Sequence, residues 1–105
     1  MTVRPDAVDD FLDCFDDRAP RIRAFSGCRH LELWGDTKAS AVFTACSHWT
    51  DPAALSEYRD SELFARTWAA VRPLFSAPPR AHRYRVVRPA GEFARQTGRP
   101  SQRSD

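Results

Sequence analysis

A nine-residue segment, AVFTACSHW at residues 41–49, constrains the fold more than any other part of the sequence. Its side chains alternate between two faces, as in a β-strand: Phe43, Ala45 and Trp49 on one, Val42 and Cys46 on the other. Both faces are apolar or small, which is typical of a strand that is covered on both sides. The chain therefore needs helices on one side of this strand and a second cover on the other.

The residues before this strand predict a helix and another strand. Residues 5–25 carry apolar side chains at steps of three and four, which form one stripe on a helix: Val8, Phe11, Leu12, Phe15, Ala19 and Ile22. Pro20 is expected to kink or split this helix, and Gly27 to end it. Residues 28–34, CRHLELW, then alternate between apolar and polar side chains, which predicts a strand.

Two further helices and a last strand are predicted after residue 49. Asp51 and Pro52 suit the N-cap and first turn of a short helix that ends near Arg59. Ser61 can cap the next helix, whose apolar side chains repeat at helical spacing: Phe64, Trp68, Val71 and Phe75. Residues 82–87, HRYRVV, then alternate as a final strand.

The order of these elements indicates the fold class. Residues 1–4 leave room for only a stub of strand before the first helix. With that stub the order is βαββαβ, the α+β ferredoxin-like split unit, with an antiparallel sheet and a first strand that is short or missing. Its helices cover one face of the sheet, so we expect a second copy of the chain to cover the other, as a homodimer. Residues 1–88 form this domain, and residues 89–105 are expected to be a disordered basic tail.

Composition argues against two classes of partner. The 105 residues carry a net charge of +2, and acidic and basic residues balance along the body of the chain, so a clustered basic face for nucleic acid is not expected. No apolar run reaches the roughly 20 residues of a membrane span, and MTVRPDAVDD lacks the apolar core of a signal peptide. We therefore expect a cytoplasmic protein that binds neither nucleic acid nor membrane.

The residue types that commonly bind metals are poorly spaced for it. The cysteines form no CxxC motif and the histidines no HExxH motif: Cys14, Cys28, Cys46, His30, His48 and His82. The six aspartates between residues 6 and 17 fall mostly on the polar face of the first predicted helix, where water solvates them. No metal site is predicted.

The stretch WTDPAALSEYRDSELFARTW, residues 49–68, raises the question of a binding pocket. The helix after Trp49 must double back across the sheet, which predicts that Trp49 and Tyr58 border one cavity between sheet and helix. Trp68 is then expected to be the packed wall of that cavity. The alternative is that all three side chains only fill a small core, since Trp68 lies in helical register with Phe64.

Four segments, in this order, resemble the antibiotic biosynthesis monooxygenase family: FSGCRHLELWGD, the apolar strand ending at Trp49, DPAALSEYRDSELF and TWAAVRPLF. The resemblance spans residues 3–87 and implies a dimeric α/β barrel built from ferredoxin-like subunits. It also implies a pocket between the sheet and the helices of each subunit, with Trp49 at the strand end and residues 52–68 closing over it.

The resemblance implies oxidation of a small aromatic molecule, a phenol or quinol, without a cofactor. An electron-rich phenolate can itself reduce oxygen, so the protein need only bind the substrate, deprotonate it and exclude water. The implied catalytic residues are Tyr58, Trp49 and His48, and the implied substrate-pocket residues are Phe43, Phe64 and Trp68. Many relatives carry a histidine at the position of Tyr58.

Two other functions remain open. A non-catalytic dimeric protein of the same fold, which binds small molecules or acts in a stress response, is consistent with the lack of an obvious acid/base dyad. A nucleic-acid accessory protein would use the arginines of the tail. Haem degradation, which one branch of the family performs with a pocket asparagine, is disfavoured because the sequence contains no asparagine.

Overall fold

The fold is given by a computed structural model that describes residues 1–90. Within these residues it has three α-helices and two β-strands: α1 (Val8–Arg23), β1 (Cys28–Gly35), β2 (Phe43–Trp49), α2 (Pro52–Arg59) and α3 (Glu62–Val71). Single turns of 3₁₀-helix precede α1 and follow α3. The predicted tail at residues 89–105 lies, apart from its first two residues, outside the described part of the chain.

The strands β1 and β2 pair antiparallel, and their register separates two faces of the sheet. The pairs on the helix side are Leu31–Ser47 and Leu33–Ala45, and the pairs on the outer side are His30–His48, Glu32–Cys46 and Trp34–Thr44. An irregularity between Cys28 and His30 shifts the register, so Cys28 pairs with Trp49. Because of that shift, the buried Cys28 lies on the helix side with Leu31.

The N-terminal residues extend this sheet by a rudimentary third strand. The backbone N–H of Val3 donates to the carbonyl of Ala41 at 2.8 Å, and that of Ser76 donates to the carbonyl of Thr2 at 2.9 Å. Residues 1–3 therefore lie between β2 and residues 74–76, and the pairing there is limited to isolated bridges. The prediction of an antiparallel ferredoxin-like sheet with a short first strand is confirmed.

The prediction of a last strand at residues 82–87 is wrong. These residues have no regular secondary structure in the described chain, and their side chains are exposed. The antiparallel pairing after α3 occurs earlier, where Phe75 faces Val3 across a bridge. Alternation in HRYRVV could not produce a strand by itself, because a strand needs a neighbour and residues 1–3 are already paired on both edges.

The placement of Phe75 in the second predicted helix is also wrong. α3 ends at Val71 and continues only as one turn of 3₁₀-helix, Arg72–Leu74. Pro73 lies in that turn, and a proline removes a backbone donor and clashes with the preceding turn, so the α-helix cannot continue.

Pro20 does not split α1, so that part of the prediction is wrong. The helix runs without interruption to Arg23, and the carbonyl of Pro20 accepts a hydrogen bond from the N–H of Ala24 at 3.0 Å. Pro20 is exposed and lies in the last turn, so the helix loses one backbone hydrogen bond near an end that would fray in any case. The chain then turns at Gly27, whose φ is 87°, and enters β1.

The apolar core lies where the N-terminal residues, α1, α3 and the start of β2 meet. It contains Val3, Ala7, Phe11, Phe43 and Val71, all buried. The rings of Phe11 and Phe43 are 5.1 Å apart. This core fixes one end of the layer between helices and sheet, and the opposite end, near Trp49, carries the aromatic side chains of α2.

Candidate functional site

A cavity of about 130 Å³ lies between the helix side of the sheet and the three helices. Its walls are mainly aromatic and aliphatic, and the side chains that form them include Phe15, Leu31, Leu55, Tyr58, Phe64 and Trp68. The polar side chains on the lining are Arg18, Ser47, Arg59 and Thr67. An apolar cavity with a few polar groups is typical of a small-molecule site.

The position of α2 over the sheet is set by the residues at its start. The side chain of Asp51 accepts a hydrogen bond from the N–H of Ala54 at 2.8 Å and caps the helix, as its sequence predicts. Gly27 lies against this helix: a Cβ built on it would collide with the Cβ of Ala54. The carbonyl of Gly27 accepts from the N–H of Thr50 at 2.9 Å. The glycine thus allows α2 to approach the β1 turn closely.

That close approach brings Tyr58 into a group of aromatic rings. The ring of Tyr58 stacks on Trp49, with centroids 4.9 Å apart and planes at 22°. The rings of Phe25 and Phe64 contact the Tyr58 ring edge to face, with centroids 5.4 Å and 5.3 Å from its centroid. Trp49 lies behind Tyr58 and is buried, and its Nε1 donates to the Ser47 hydroxyl at 2.9 Å.

Burial strengthens the hold of Tyr58 on its proton. Removal from water raises the pKa of its phenol to about 12; the nearby Cys28 also raises it, while Arg59 lowers it. The phenol is therefore protonated at neutral pH. Tyr58 can donate a hydrogen bond, but it cannot act as a phenolate base.

The junction between α2 and α3 is closed by one side chain. The hydroxyl of Ser61 donates to the carbonyl of Tyr58 at 2.6 Å and accepts from the N–H of Phe64 at 3.2 Å. It confirms the predicted cap of the second helix and ties the last residues of α2 to the first turn of α3. Both aromatic residues at this junction therefore point into the same cavity.

One face of α3 forms a wall of the cavity through Phe64, Thr67, Trp68 and Val71. These residues have the i, i+3, i+4, i+7 spacing of a single helix face. The Oγ1 atom of Thr67 is buried and has no hydrogen-bond partner. A buried hydroxyl without a partner is uncommon in proteins, so this atom is a candidate contact for a ligand.

Two arginines border the cavity, and their surroundings differ. Arg18 lies 3.3 Å from the carboxylate of Asp17 and 3.7 Å from the sulfur of Cys14. Arg59 is half-buried, its guanidinium lies 5.6 Å above the ring of Phe64, and it pairs with no carboxylate of the described residues. Arg59 also lines two neighbouring cavities, of about 310 and 250 Å³.

The structure brings three of the six sequence-predicted site residues to this cavity: Tyr58, Phe64 and Trp68. Trp49 and His48 line instead the cavity of about 310 Å³ that lies beneath residues 82–86. The expectation that Trp49 and Tyr58 border one cavity does not match this arrangement, because the stacked Tyr58 ring separates the indole from the lining. Phe43 is in the core, where the early part of β2 packs on α1.

His48 is kept from the helix-side cavity by strand geometry. It pairs with His30 on the outer face of the sheet, while its neighbour Ser47 faces the helices. Successive side chains of a strand point to opposite sides, so His48 and Ser47 face opposite sides of the sheet.

Four side chains of this region were not anticipated from the sequence: Arg18, Phe25, Arg59 and Thr67. The sequence could have predicted Thr67, because it shares the helical spacing of Phe64 and Val71. Phe25 lies in the turn after α1, where no periodic pattern marks it. The arginines carry no local signal, since their role depends on which carboxylates fold beside them.

Within residues 1–90, none of the helices is both long and apolar enough to cross a bilayer. Nor do these residues include a group of three or more His, Cys, Asp or Glu side chains placed to hold a metal ion.

The sequence model of the antibiotic biosynthesis monooxygenase family matches residues 1–70. The chain belongs to this family. The match covers α1, the sheet, α2 and nearly all of α3, and so includes most of the cavity lining. No curated protein matches the chain significantly.

Solved structures show the same fold. A Mycobacterium tuberculosis protein is 26% identical with a TM-score of 0.66, and the match covers 73% of this chain and 78% of that one. A Pseudomonas aeruginosa protein is 25% identical with a TM-score of 0.64 and the same coverage of both chains. A Bordetella bronchiseptica protein described as a candidate antibiotic biosynthesis monooxygenase is 22% identical with a TM-score of 0.73, covering 83% of this chain and 91% of that one.

Proposed function

We propose that this family member is a cytoplasmic monooxygenase that oxidises a small phenol or quinol in the cavity between the sheet and the helices. The observation that carries the proposal is the combination of walls and polar groups there. Aromatic rings surround a protonated tyrosine, Tyr58, and two guanidinium groups, Arg18 and Arg59, reach the same space. These groups suit a ligand that is aromatic and becomes negatively charged.

The size of the cavity suits a substrate of one ring. Its volume is about 130 Å³. An engineered apolar cavity of about 150 Å³ in another protein is known to bind benzene. A single-ring phenol therefore fits with little rearrangement, whereas a polycyclic phenol would have to displace part of the wall.

The reaction proposed for such a substrate balances without an added reductant. A phenolate with a free para position transfers electrons to O₂, which bonds to the para carbon and takes up a proton as a hydroperoxide. The para C–H then loses its proton, the O–O bond breaks, and water leaves. The sum is phenol plus O₂ to quinone plus water, so the substrate supplies all four electrons and no cofactor is required.

The side chains serve this reaction by charge and by exclusion of water. Positive charge from Arg18 and Arg59 favours the phenolate and so lowers the pKa of the bound phenol. This matters because the described lining residues include no Asp, Glu or His that could act as a base. Tyr58 donates a hydrogen bond to oxygen that becomes anionic, and the apolar walls keep water from the intermediate.

Oxygen uptake with single-ring phenols and quinols, in buffer treated with a chelator, tests the proposal. We expect uptake with quinone formation, and a kcat/KM at least about tenfold lower for Tyr58→Phe, which loses the donor but keeps the ring. Tyr84→Phe is the matched control, because Tyr84 is exposed and lies outside the cavity lining. If no phenol or quinol supports uptake, the chain is not this oxygenase.

A second function, binding without turnover, is favoured by the same absence of Asp, Glu and His from the described cavity lining. In that case the aromatic cavity would take up a small ligand and hold it, as a dimeric sensor or carrier does. Saturable binding of a phenol with no oxygen uptake would establish this alternative.

We also propose that the functional unit is a homodimer joined through the outer face of the sheet. Trp34 and Thr44 lie there and are only half-buried in a single chain. Cys46, on the same face, is 1% exposed, so the chain itself already covers it and it needs no partner. Sedimentation should show a dimer that Thr44→Arg dissociates, whereas Thr37→Arg in the exposed turn leaves it intact. A monodisperse monomer of the unmodified protein would exclude the dimer.

A further inference from the structure

We infer that the ligand of the helix-side cavity is a single-ring aromatic carboxylate, whose charged group binds Arg59 and whose ring substituent binds the hydroxyl of Thr67. The inference rests on the proposed function, because it narrows the substrate of the same cavity from any small phenol to an anionic one. Two unusual side chains carry it, and they lie on different helices.

The first is Arg59, a half-buried cation without a carboxylate partner in the described chain. The nearest acidic residues in sequence do not neutralise it. Glu62 pairs with Arg66 instead, and Glu57 and Asp60 are exposed. Charged groups removed from water are normally paired, so a cation left in this state at a cavity margin is suited to an anionic ligand.

The position of Arg59 defines which part of the ligand it meets. Arg59 borders the 130 Å³ cavity and both neighbouring cavities, so this residue lies where the three spaces adjoin. Its contact with the ring of Phe64 leaves the planar fork of N–H donors available. Such a fork matches a carboxylate in a bidentate geometry, which makes a carboxylate the best fit among small anions attached to a ring.

The second is Thr67, whose buried Oγ1 has no partner. It lines the 130 Å³ cavity and neither of the two others, so it lies deeper than Arg59. An unpaired buried hydroxyl destabilises the free protein, and a ligand oxygen placed against it would remove that cost. A ring with a carboxylate and, meta to it, an oxygen substituent can satisfy both residues and keeps the para position free for the proposed reaction.

Binding of two isosteric probes, one anionic and one neutral, tests whether the cavity prefers a negatively charged ligand. We would measure the Kd of 3-hydroxybenzoate and of neutral 3-hydroxybenzamide, whose para carbon is free, by calorimetry on the unmodified chain at neutral pH. We expect the carboxylate to bind at least about tenfold more tightly, as a charge-assisted hydrogen bond is stronger than a neutral one. Equal affinities for the two probes would overturn the inference.

Arginine variants assign the preference to one residue. Arg59→Gln should weaken the carboxylate by about the same tenfold factor and leave the amide unchanged, so that the two affinities converge. Arg66→Gln is the control, because Arg66 is exposed on the neighbouring helix and pairs with Glu62. Loss of preference in both variants, or in neither, would contradict a role for Arg59.

Threonine variants give a readout in which stability and affinity move in opposite directions. Thr67→Val removes an unpaired hydroxyl while keeping the shape, so it should raise the Tm of the free protein and weaken both probes several-fold. Thr67→Ser should restore the affinity. A lower Tm with unchanged affinity would show that the hydroxyl is bonded within the protein and would remove it from the site.

Oxygen uptake separates this inference from the proposed function. Tight binding of the carboxylate through Arg59 without uptake keeps the inference and removes the oxygenase. Uptake with neutral phenols, together with equal affinities for the carboxylate and amide probes, keeps the oxygenase and removes the inference.

Discussion

The two ends of the layer between helices and sheet are built from similar residues but differ in how closely they pack. At one end Val3, Phe11 and Phe43 are at most 9% exposed and form the core. At the other end Tyr58 and Phe64 are only half-buried and leave a cavity beside them. Apolar character alone therefore does not separate a core from a binding site. The difference is whether space and unsatisfied polar atoms remain beside the rings.

The largest contrast should come from truncating one phenylalanine at each end. Phe43→Ala removes a buried ring from the core and should lower the free energy of unfolding by about 3–5 kcal/mol. Phe64→Ala should cost less stability, because the ring already borders empty space, but it should abolish binding of small aromatic ligands. Denaturant unfolding and calorimetry would measure the two effects. Equal loss of stability from both variants would mean that the two ends are the same core.

The second contrast uses two glycines. Gly27→Ala places a side chain at a φ of 87° and against Ala54, and should lower the free energy of unfolding by about 1–3 kcal/mol while shifting α2. Gly35→Ala is the control, because its new Cβ would meet nothing closer than the Phe43 ring at 3.9 Å. Unfolding curves and ligand affinity would be compared. Unchanged affinity in Gly27→Ala would show that the cavity does not depend on this approach.

The third contrast depends on pH. The pKa of Tyr58 is raised from 10 to about 12 by burial, so the folded chain keeps a proton that the unfolded chain releases between these values. The contribution of this group to the free energy of unfolding is complete below about pH 10 and is lost as the pH rises toward 12. At pH 11 we expect a loss of about 1 kcal/mol, a value reduced for the partial access of solvent to the ring.

Denaturant unfolding of Tyr84→Phe, with and without Tyr58→Phe, would measure this effect in a background where Tyr58 is the sole tyrosine. The decline attributed to Tyr58 should disappear in the double variant. Ionisation of Tyr58 at its ordinary pKa, seen by phenolate absorbance, would show that water reaches the ring freely.

The smallest effect is expected in the segment that follows the sheet. Val87 is 68% exposed and makes no strand, so Val87→Ser should change the free energy of unfolding by less than about 0.5 kcal/mol. A loss well above that value, or a change in sedimentation, would show that this segment pairs with a second chain.

What the sequence predicted well was local. Asp51 and Ser61 marked the starts of α2 and α3, because a cap bonds to a backbone N–H only three residues away. The last strand failed because pairing depends on a neighbour that local alternation does not reveal. The side on which Cys28 lies was equally hidden, since an irregularity in β1 places it with the helices.

For the candidate site, the sequence anticipated the rings but not the polar atoms. Tyr58, Phe64 and Trp68 could be predicted from the sequence, because large aromatic side chains near a strand end are normally buried against the sheet. Arg59 and Thr67 became candidates only when their missing partners could be seen, and a missing partner is a property of the folded chain. Trp49 lines the neighbouring cavity, and residue spacing alone does not show which ring of a stacked pair faces a given cavity.

The irregular segment after Ser76 has a consequence for how this protein can diversify. Helix α2, helix α3 and the sheet are bound to one another by caps, rings and core contacts, but Ala81 reaches the cavity from a stretch that belongs to none of them. Substitutions there can change which molecules enter, at little cost to folding. We therefore expect substitutions at Ala81 to alter the shape of the cavity while leaving the helices and the sheet intact.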